Sequence, residues 1–264
     1  MTRRHLTFAC EGQALVGTLD DAPAATGLLI VSGGNEIRCG AWNGQALLAT
    51  RLAARGFPVF RFDRRGIGDS EGSNLGFRHS AEDIRAAIEA FRAEAPQLTR
   101  VVAWGNCDAA SALMLGSGLG CDGLVLSNPW TIEGDEADGA AAALPAGALR
   151  SHYLRRLRDP AALLRLLGGK VSLKGLMRSL RDMSRRAEPT SLAREITSGL
   201  AGFSGPALLL IAERDRTGQA FLGDWDRTDP RLSICAGASH SFVEQAAQEW
   251  LEDRIAGLLS SPAG

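Results

Sequence analysis

The sequence predicts an α/β fold: a doubly wound, mostly parallel sheet interrupted by a helical cap insertion. Three observations carry that reading. Short uninterrupted apolar runs, Leu28 to Val31, Val101 to Trp104, Gly123 to Ser127 and Ala207 to Ala212, have the length and character of strands buried on both faces. Segments with apolar residues at helical spacing alternate with them, and that alternation implies right-handed crossovers. From residue 131 to residue 205 the alternation stops, leaving helix-like Leu/Arg/Ala sequence broken by Gly and Pro.

Taken in order, Leu6 to Cys10 and Ala14 to Leu19 flank Glu11-Gly12-Gln13 and predict an opening hairpin at the sheet edge. The strand at 28–31 ends abruptly at Ser32-Gly33-Gly34. Residues 43–55 place Leu47, Leu48, Ala49 and Leu52 at helical spacing and stop at Gly56, a C-terminal cap. Phe57 to Phe62 is the next strand, followed by a Gly-punctuated polar loop from Asp63 to Ser70. Ser80 then opens a helix as its capping hydroxyl, with Glu82 and Asp83 in the first turn and Ile84, Ala87, Ile88 and Phe91 as its buried stripe. A helix over Ala109 to Leu119 follows the strand at 101–104, and Asn128-Pro129-Trp130 ends the strand at 123–127. After the insertion, Arg231 to Cys235 is a last strand and Val243 to Leu259 an amphipathic closing helix. Residues 1–130 and 206–264 therefore form one core. Residues 131–205 form a cap over the carboxyl ends of the strands, where such sheets bind ligands.

Composition narrows the function. A chain of 264 residues that is 45% apolar can bury one sizeable core. A net charge of -1 gives no global electrostatic footprint for nucleic acid. The five cysteines are scattered and odd in number, with no CxxC and no Cys/His cluster at metal-ligand spacing. Reduced thiols, a cytoplasmic location and no metal or cofactor are the expectation. Met1 to His5 is basic, but Glu11-Gly12-Gln13 interrupts the apolar run that a signal peptide needs, and no window is long enough for a membrane span.

The chain is organised around Gly105-Asn106-Cys107-Asp108-Ala109, between a buried strand and an Ala/Leu-rich helix. This is the form of a nucleophile elbow, G-x-S-x-G, with Cys for Ser and Ala for the last Gly. The helix N-terminus favours a thiolate at Cys107, and the neighbouring Asp108 carboxylate opposes it. An acid and a base should follow in that order, each after a later strand. Asp215 lies beyond the strand at 207–212 and His240 beyond the strand at 231–235; Glu213 competes with Asp215 but stands closer to its strand end. An oxyanion hole needs two backbone N–H donors. Asp108, after the nucleophile, supplies one, and Gly34 the other, with Asn35 as the alternate.

These residues resemble the α/β-hydrolase superfamily, and the resemblance covers nearly the whole chain outside the insertion. Ser32-Gly33-Gly34, the elbow, the Asp215/His240 pair and Asp63-x-Arg65-Gly66-x-Gly68-x-Ser70 stand in register. Gly33-Gly34-x-x-x-Arg38-x-Gly40 together with Arg61-Phe62-Asp63-x-Arg65-Gly66-x-Gly68-Asp69-Ser70 looks more narrowly like the exosortase A system-associated hydrolase 1 family. The resemblance implies an α/β-hydrolase core and a hydrolase. Cys for Ser is shared by dienelactone hydrolases and some thioesterase domains.

The expected function is that of a Cys-dependent acyl hydrolase or acyltransferase acting on a small-molecule ester or thioester. The alternative is a non-catalytic binding or carrier-docking protein that keeps the fold. Between residues 148 and 190 eleven basic side chains, among them Arg155, Arg156 and Arg158, stand against three acidic ones and interleave with leucines. Such a cap would lie over an acyl pocket and offer a cationic face to an acyl carrier protein, to CoA or to an anionic membrane.

Overall fold

A computed structural model describes residues 2–132 and 190–262. Most of the predicted cap, including Arg155, Arg156 and Arg158, lies outside the described residues.

The chain opens as a hairpin of β1 (Thr2–Cys10) and β2 (Gln13–Asp21), paired from Cys10 opposite Gln13 to Thr2 opposite Asp21. Glu11 and Gly12 both have positive φ, 48° and 80°, the requirement of a two-residue turn whose twist matches the strands. Both strands run further than their apolar runs. Thr2 to His5 are polar, and the pairing continues because Arg3 reaches Asp20 at 2.7 Å and Arg4 reaches Glu94 at 2.6 Å.

Eight strands form one sheet in the order β1-β2-β4-β3-β5-β6-β7-β8. The others are β3 (Thr26–Val31), β4 (Val59–Phe62), β5 (Arg100–Asn106), β6 (Gly123–Ser127), β7 (Ala207–Ala212) and β8 (Leu232–Cys235). β2 joins β4 antiparallel, and from β4 to β8 every pairing is parallel. The strands at 28–31 and 101–104 are buried along their length, as continuous apolar runs require. Two apolar layers cover the sheet. On one face α1 (Gly44–Ala54) supplies Leu48 and Leu52, and α6 (Gln245–Ser260) supplies Leu251 and Ile255. On the other, α2 (Ala81–Glu94) supplies Ile84 and Phe91, and α3 (Asp108–Leu115) supplies Leu113 and Met114. Parallel strands put all their carboxyl ends on one edge, and the loops after β3, β5, β7 and β8 meet there.

Four local expectations change. The helix after the elbow stops at Leu115, not Leu119. Ser117 takes φ 49° while the Gly118 amide donates to Leu113 O at 2.9 Å and the Ser117 amide to Met114 O at 3.1 Å, a Schellman closure. The Ser80 hydroxyl does not cap α2; it donates back to Phe77 O at 2.8 Å. The end of the predicted insertion belongs to the core. α4 (Ser191–Ala201), capped by the Thr190 hydroxyl, buries Leu192, Ile196 and Leu200 on one stripe in the same layer as α3, with Gly199 against the Met114 carbonyl. Finally, α5 (Arg216–Asp224) follows β7 where the sequence suggests only a loop. No helix among the described residues is long and apolar enough to cross a membrane.

Candidate active site

The elbow forms because β5 and α3 meet with almost no space between them. A Cβ on Gly105 would sit 2.7 Å from the carbonyl carbon of Ala109 and 2.8 Å from the amide nitrogen of Ala110, so only glycine fits. Cys107 is held at φ 62°, ψ -126°, a conformation that costs on the order of 1–3 kcal/mol for a residue with a side chain. Its backbone is pinned to the end of β6: the Cys107 amide donates to Ser127 O at 2.9 Å, and its carbonyl accepts from Trp130 at 3.3 Å.

Asp215 and His240 meet as their loop positions predict. Nδ1 of His240 lies 2.9 Å from Oδ1 of Asp215, and the same imidazole is close enough to Cys107 to influence its thiol. Asp215 is buried and also caps α5, its Oδ2 accepting from the Gly218 amide at 2.7 Å, so this helix holds the carboxylate in place. Glu213 faces elsewhere: its Oε2 accepts from the Gly237 amide at 2.8 Å.

Burial draws the His240 imidazole down, but its bonds to the Asp215 carboxylate and the Cys107 sulfur outweigh this and raise it; the part owed to the sulfur belongs to the thiolate–imidazolium state, the state reached once the proton has moved. At Cys107 burial dominates and raises the thiol, the His240 bond and charge pull it back, and Asp108 raises it further. Burial therefore opposes the thiolate that the helix N-terminus favours.

The oxyanion side also departs from expectation. The Asp108 amide faces the Cys107 sulfur. The Gly34 amide donates to Oδ1 of Asp108 at 2.6 Å, so this donor is engaged. Gly33 passes so close beneath that a Cβ on it would lie 2.6 Å from both Asn106 O and Asp108 Oδ1. Buried Arg64 completes the contact, donating to Gly34 O and standing 3.6 Å from Oδ2 of Asp108. The Asp108 side chain therefore ties the loop after β3 to the elbow. Asn35 follows Gly34 on that loop and is exposed.

Two asparagines of the site carry no motif. Asn128, fully buried at φ 45°, donates to Asn106 Oδ1 at 3.0 Å and to His240 O at 3.2 Å, and accepts from the Ala212 amide at 2.8 Å. Asn106 donates to His240 O at 3.2 Å, its Nδ2 lying 3.5 Å from Nε2 of the ring. Together they tie the His240 loop to the ends of β5, β6 and β7. The only sequence signal is an Asn-Pro pair after a buried strand. Arg38, donating to Thr18, Asp63 and Asp69, explains the spread of the loop motifs, since it bridges the loops after β3 and β4.

This sheet order, with a strained residue between β5 and α3 and an acid and a base after β7 and β8, defines the hydrolase class of α/β enzymes. The chain belongs to the Alpha/beta hydrolase family, whose pattern matches residues 28–253. Solved structures are similar throughout. An esterase from Pyrococcus furiosus superposes with a TM-score of 0.63 at 15% identity, covering 100% of this chain and 92% of that one. The alpha/beta hydrolase GrgF from Penicillium sp. sh18 gives 0.63 at 18%, covering 98% of each chain. An a/b serine hydrolase without lid from Xanthomonas campestris gives 0.58 at 16%, covering 99% of this chain and 97% of that one. At such identities the likeness concerns the fold. No curated protein sequence matches the chain.

Proposed function

We propose that the protein is a Cys-dependent acyl hydrolase or acyltransferase that works through an acyl-enzyme on an ester or thioester. The observation that carries this reading is the pairing of His240 with Asp215, Nδ1 2.9 Å from the carboxylate, at the same sheet edge as Cys107 on its strained turn. Sγ of Cys107 attacks the acyl carbon while Nε2 of His240 takes the thiol proton. Asp215 holds the tautomer that leaves Nε2 free to do so and stabilises the imidazolium. The tetrahedral oxyanion is met by the Asp108 amide and, with Gly34 engaged, by the Asn35 amide, the alternate donor. Collapse expels the alcohol or thiol, which leaves with the proton held by His240. Water or an acceptor nucleophile then gives its proton to the same nitrogen, attacks the acyl-cysteine and restores the thiol. A thioester suits this relay because exchange between thiol and thioester is nearly isoenergetic.

The narrower likeness to the exosortase A system-associated hydrolase 1 family belongs to this reading, and Arg38, Asp63 and Asp69, which join the loops beside the elbow, support it. Intact-mass spectrometry after incubation with acyl esters, acyl-CoA and acyl-carrier thioesters tests the function. The expected result is one acyl adduct, located at Cys107 and lost in Cys107→Ala. An adduct that survives that substitution, or none with any donor, overturns it.

A further inference from the structure

Two arginines follow β4 side by side, and their side chains diverge. Arg65, the one in the loop motif, turns to Asp83 and Glu11. Arg64 turns inward from a backbone held on both sides, the Asp63 amide donating to Val16 O at 2.9 Å and the Arg65 amide to Oδ2 of Asp83 at 3.0 Å. Its buried guanidinium donates to Gly34 O, while Oδ2 of Asp108 stands beyond hydrogen-bond distance at 3.6 Å. The acyl-transfer steps leave this cation without a part.

Gly34 O belongs to the peptide unit whose other end is the Asn35 amide. In a planar trans peptide the C=O and the N–H point in opposite directions, so a bond that fixes the oxygen also fixes the direction of the hydrogen. The neighbouring amides are engaged, Gly34 with Oδ1 of Asp108 at 2.6 Å and Glu36 with Gly33 O at 3.0 Å, whereas no acceptor among the described residues takes the Asn35 amide. The Asn35 side chain is braced as well, its Oδ1 accepting from Nδ2 of Asn74 at 2.8 Å. A guanidinium on the carbonyl also polarises the peptide, which makes its N–H a stronger donor.

We propose that Arg64 is a positioning residue of the oxyanion hole, which acts through Gly34 O to aim the Asn35 amide and to strengthen it as a donor to the developing charge. The inference rests on the acyl-transfer reading and adds to it the residue that holds its second donor.

The test uses a trifluoromethyl ketone, which needs no leaving group. Sγ of Cys107 adds to the carbonyl carbon, the C=O π pair becomes the oxyanion and the thiol proton passes to His240, so the stability of the adduct, read by fluorine NMR, reports the oxyanion hole. Alkylation by iodoacetamide displaces iodide at a tetrahedral carbon and forms no oxyanion, so it reports the thiol alone. Arg64→Met by itself would leave the Asp108 carboxylate buried without its counter-ion, and the comparison is therefore between Asp108→Asn and Asp108→Asn/Arg64→Met. Loss of Arg64 should weaken the adduct at least about tenfold while the alkylation rate stays within about twofold. An unchanged adduct, or equal losses of adduct and alkylation, overturns the role of Arg64 and leaves the acyl-transfer reading standing. The selective loss in a protein whose Cys107 no ester or thioester acylates overturns the acyl-transfer reading and leaves the role of Arg64. A wild-type protein that forms no adduct overturns both.

Discussion

The Gly34 amide and the Asp108 carboxylate meet at 2.6 Å, and this contact joins the loop after β3 to the first residue of α3. It decides how close that loop can lie to Cys107. It also gives Asp108, the residue after Cys107, a side-chain role beyond its backbone amide. Asp108→Ala should cost about 3 kcal/mol of stability, because it leaves the buried Arg64 guanidinium without its counter-ion. Asp108→Asn, which keeps an acceptor for Gly34, should retain more activity than Asp108→Ala. Denaturant melts and kcat for the two variants check this, and equal kcat values would sink the loop-tying role.

Substitution of Cys107, the proposed nucleophile, gives the sharpest expectation. Cys107→Ala should abolish turnover, and Cys107→Ser should keep a small residue of it, since a hydroxyl depends wholly on His240 for its activation. Full activity of the Ala variant in a steady-state ester assay would remove the mechanism.

The proposed role of Asp215 can be tested without disturbing the helix that it caps. Asp215→Asn keeps an oxygen for the Gly218 amide and removes the charge facing His240. A loss on the order of 10⁴ in kcat is expected, and His240→Ala should lose at least as much. Glu213→Gln should stay close to wild type; a large loss there together with a silent Asp215→Asn would reverse the assignment.

Asn128 bonds three separate segments from a fully buried position, so Asn128→Ala should destabilise the fold by about 2–3 kcal/mol and lower kcat through a loosened His240 loop. Thermal melting together with the rate of acyl-enzyme formation separates the two effects. An unchanged acylation rate in a destabilised variant would confine Asn128 to a structural role.

The pH dependence has a definite sign. The Cys107 thiol is raised by burial above its ordinary 9.0, so its nucleophilic fraction grows as pH rises, and alkylation by iodoacetamide should still be climbing at pH 9. Cys10 and Cys121, pushed up to about 11 and about 12 and buried, should react more slowly throughout. A plateau already reached at pH 7 would mean that a thiolate–imidazolium pair exists at rest.

The sequence by itself determined the doubly wound, mostly parallel sheet and the strand-turn-helix at Cys107, because each is written in local pattern: apolar runs of strand length, helical spacing, and a Gly whose missing side chain lets β5 meet α3. It also put Asp215 and His240 after strands that the parallel sheet must end on one edge, which is why they meet. Only the tertiary structure decided which backbone groups remain for an oxyanion and what holds the base. Gly34 and Asp108 are 74 positions apart, and Asn128 and His240 are 112 apart. No periodicity links residues at such separations, and a buried amide or carboxylate takes whichever partner the packed layers bring within reach. The same holds for α4 and α5: the apolar stripe of α4 reads equally well as part of a cap until Met114 and Leu113 of α3 are packed in the layer it joins, and α5 begins only because Asp215, placed by β7, caps it.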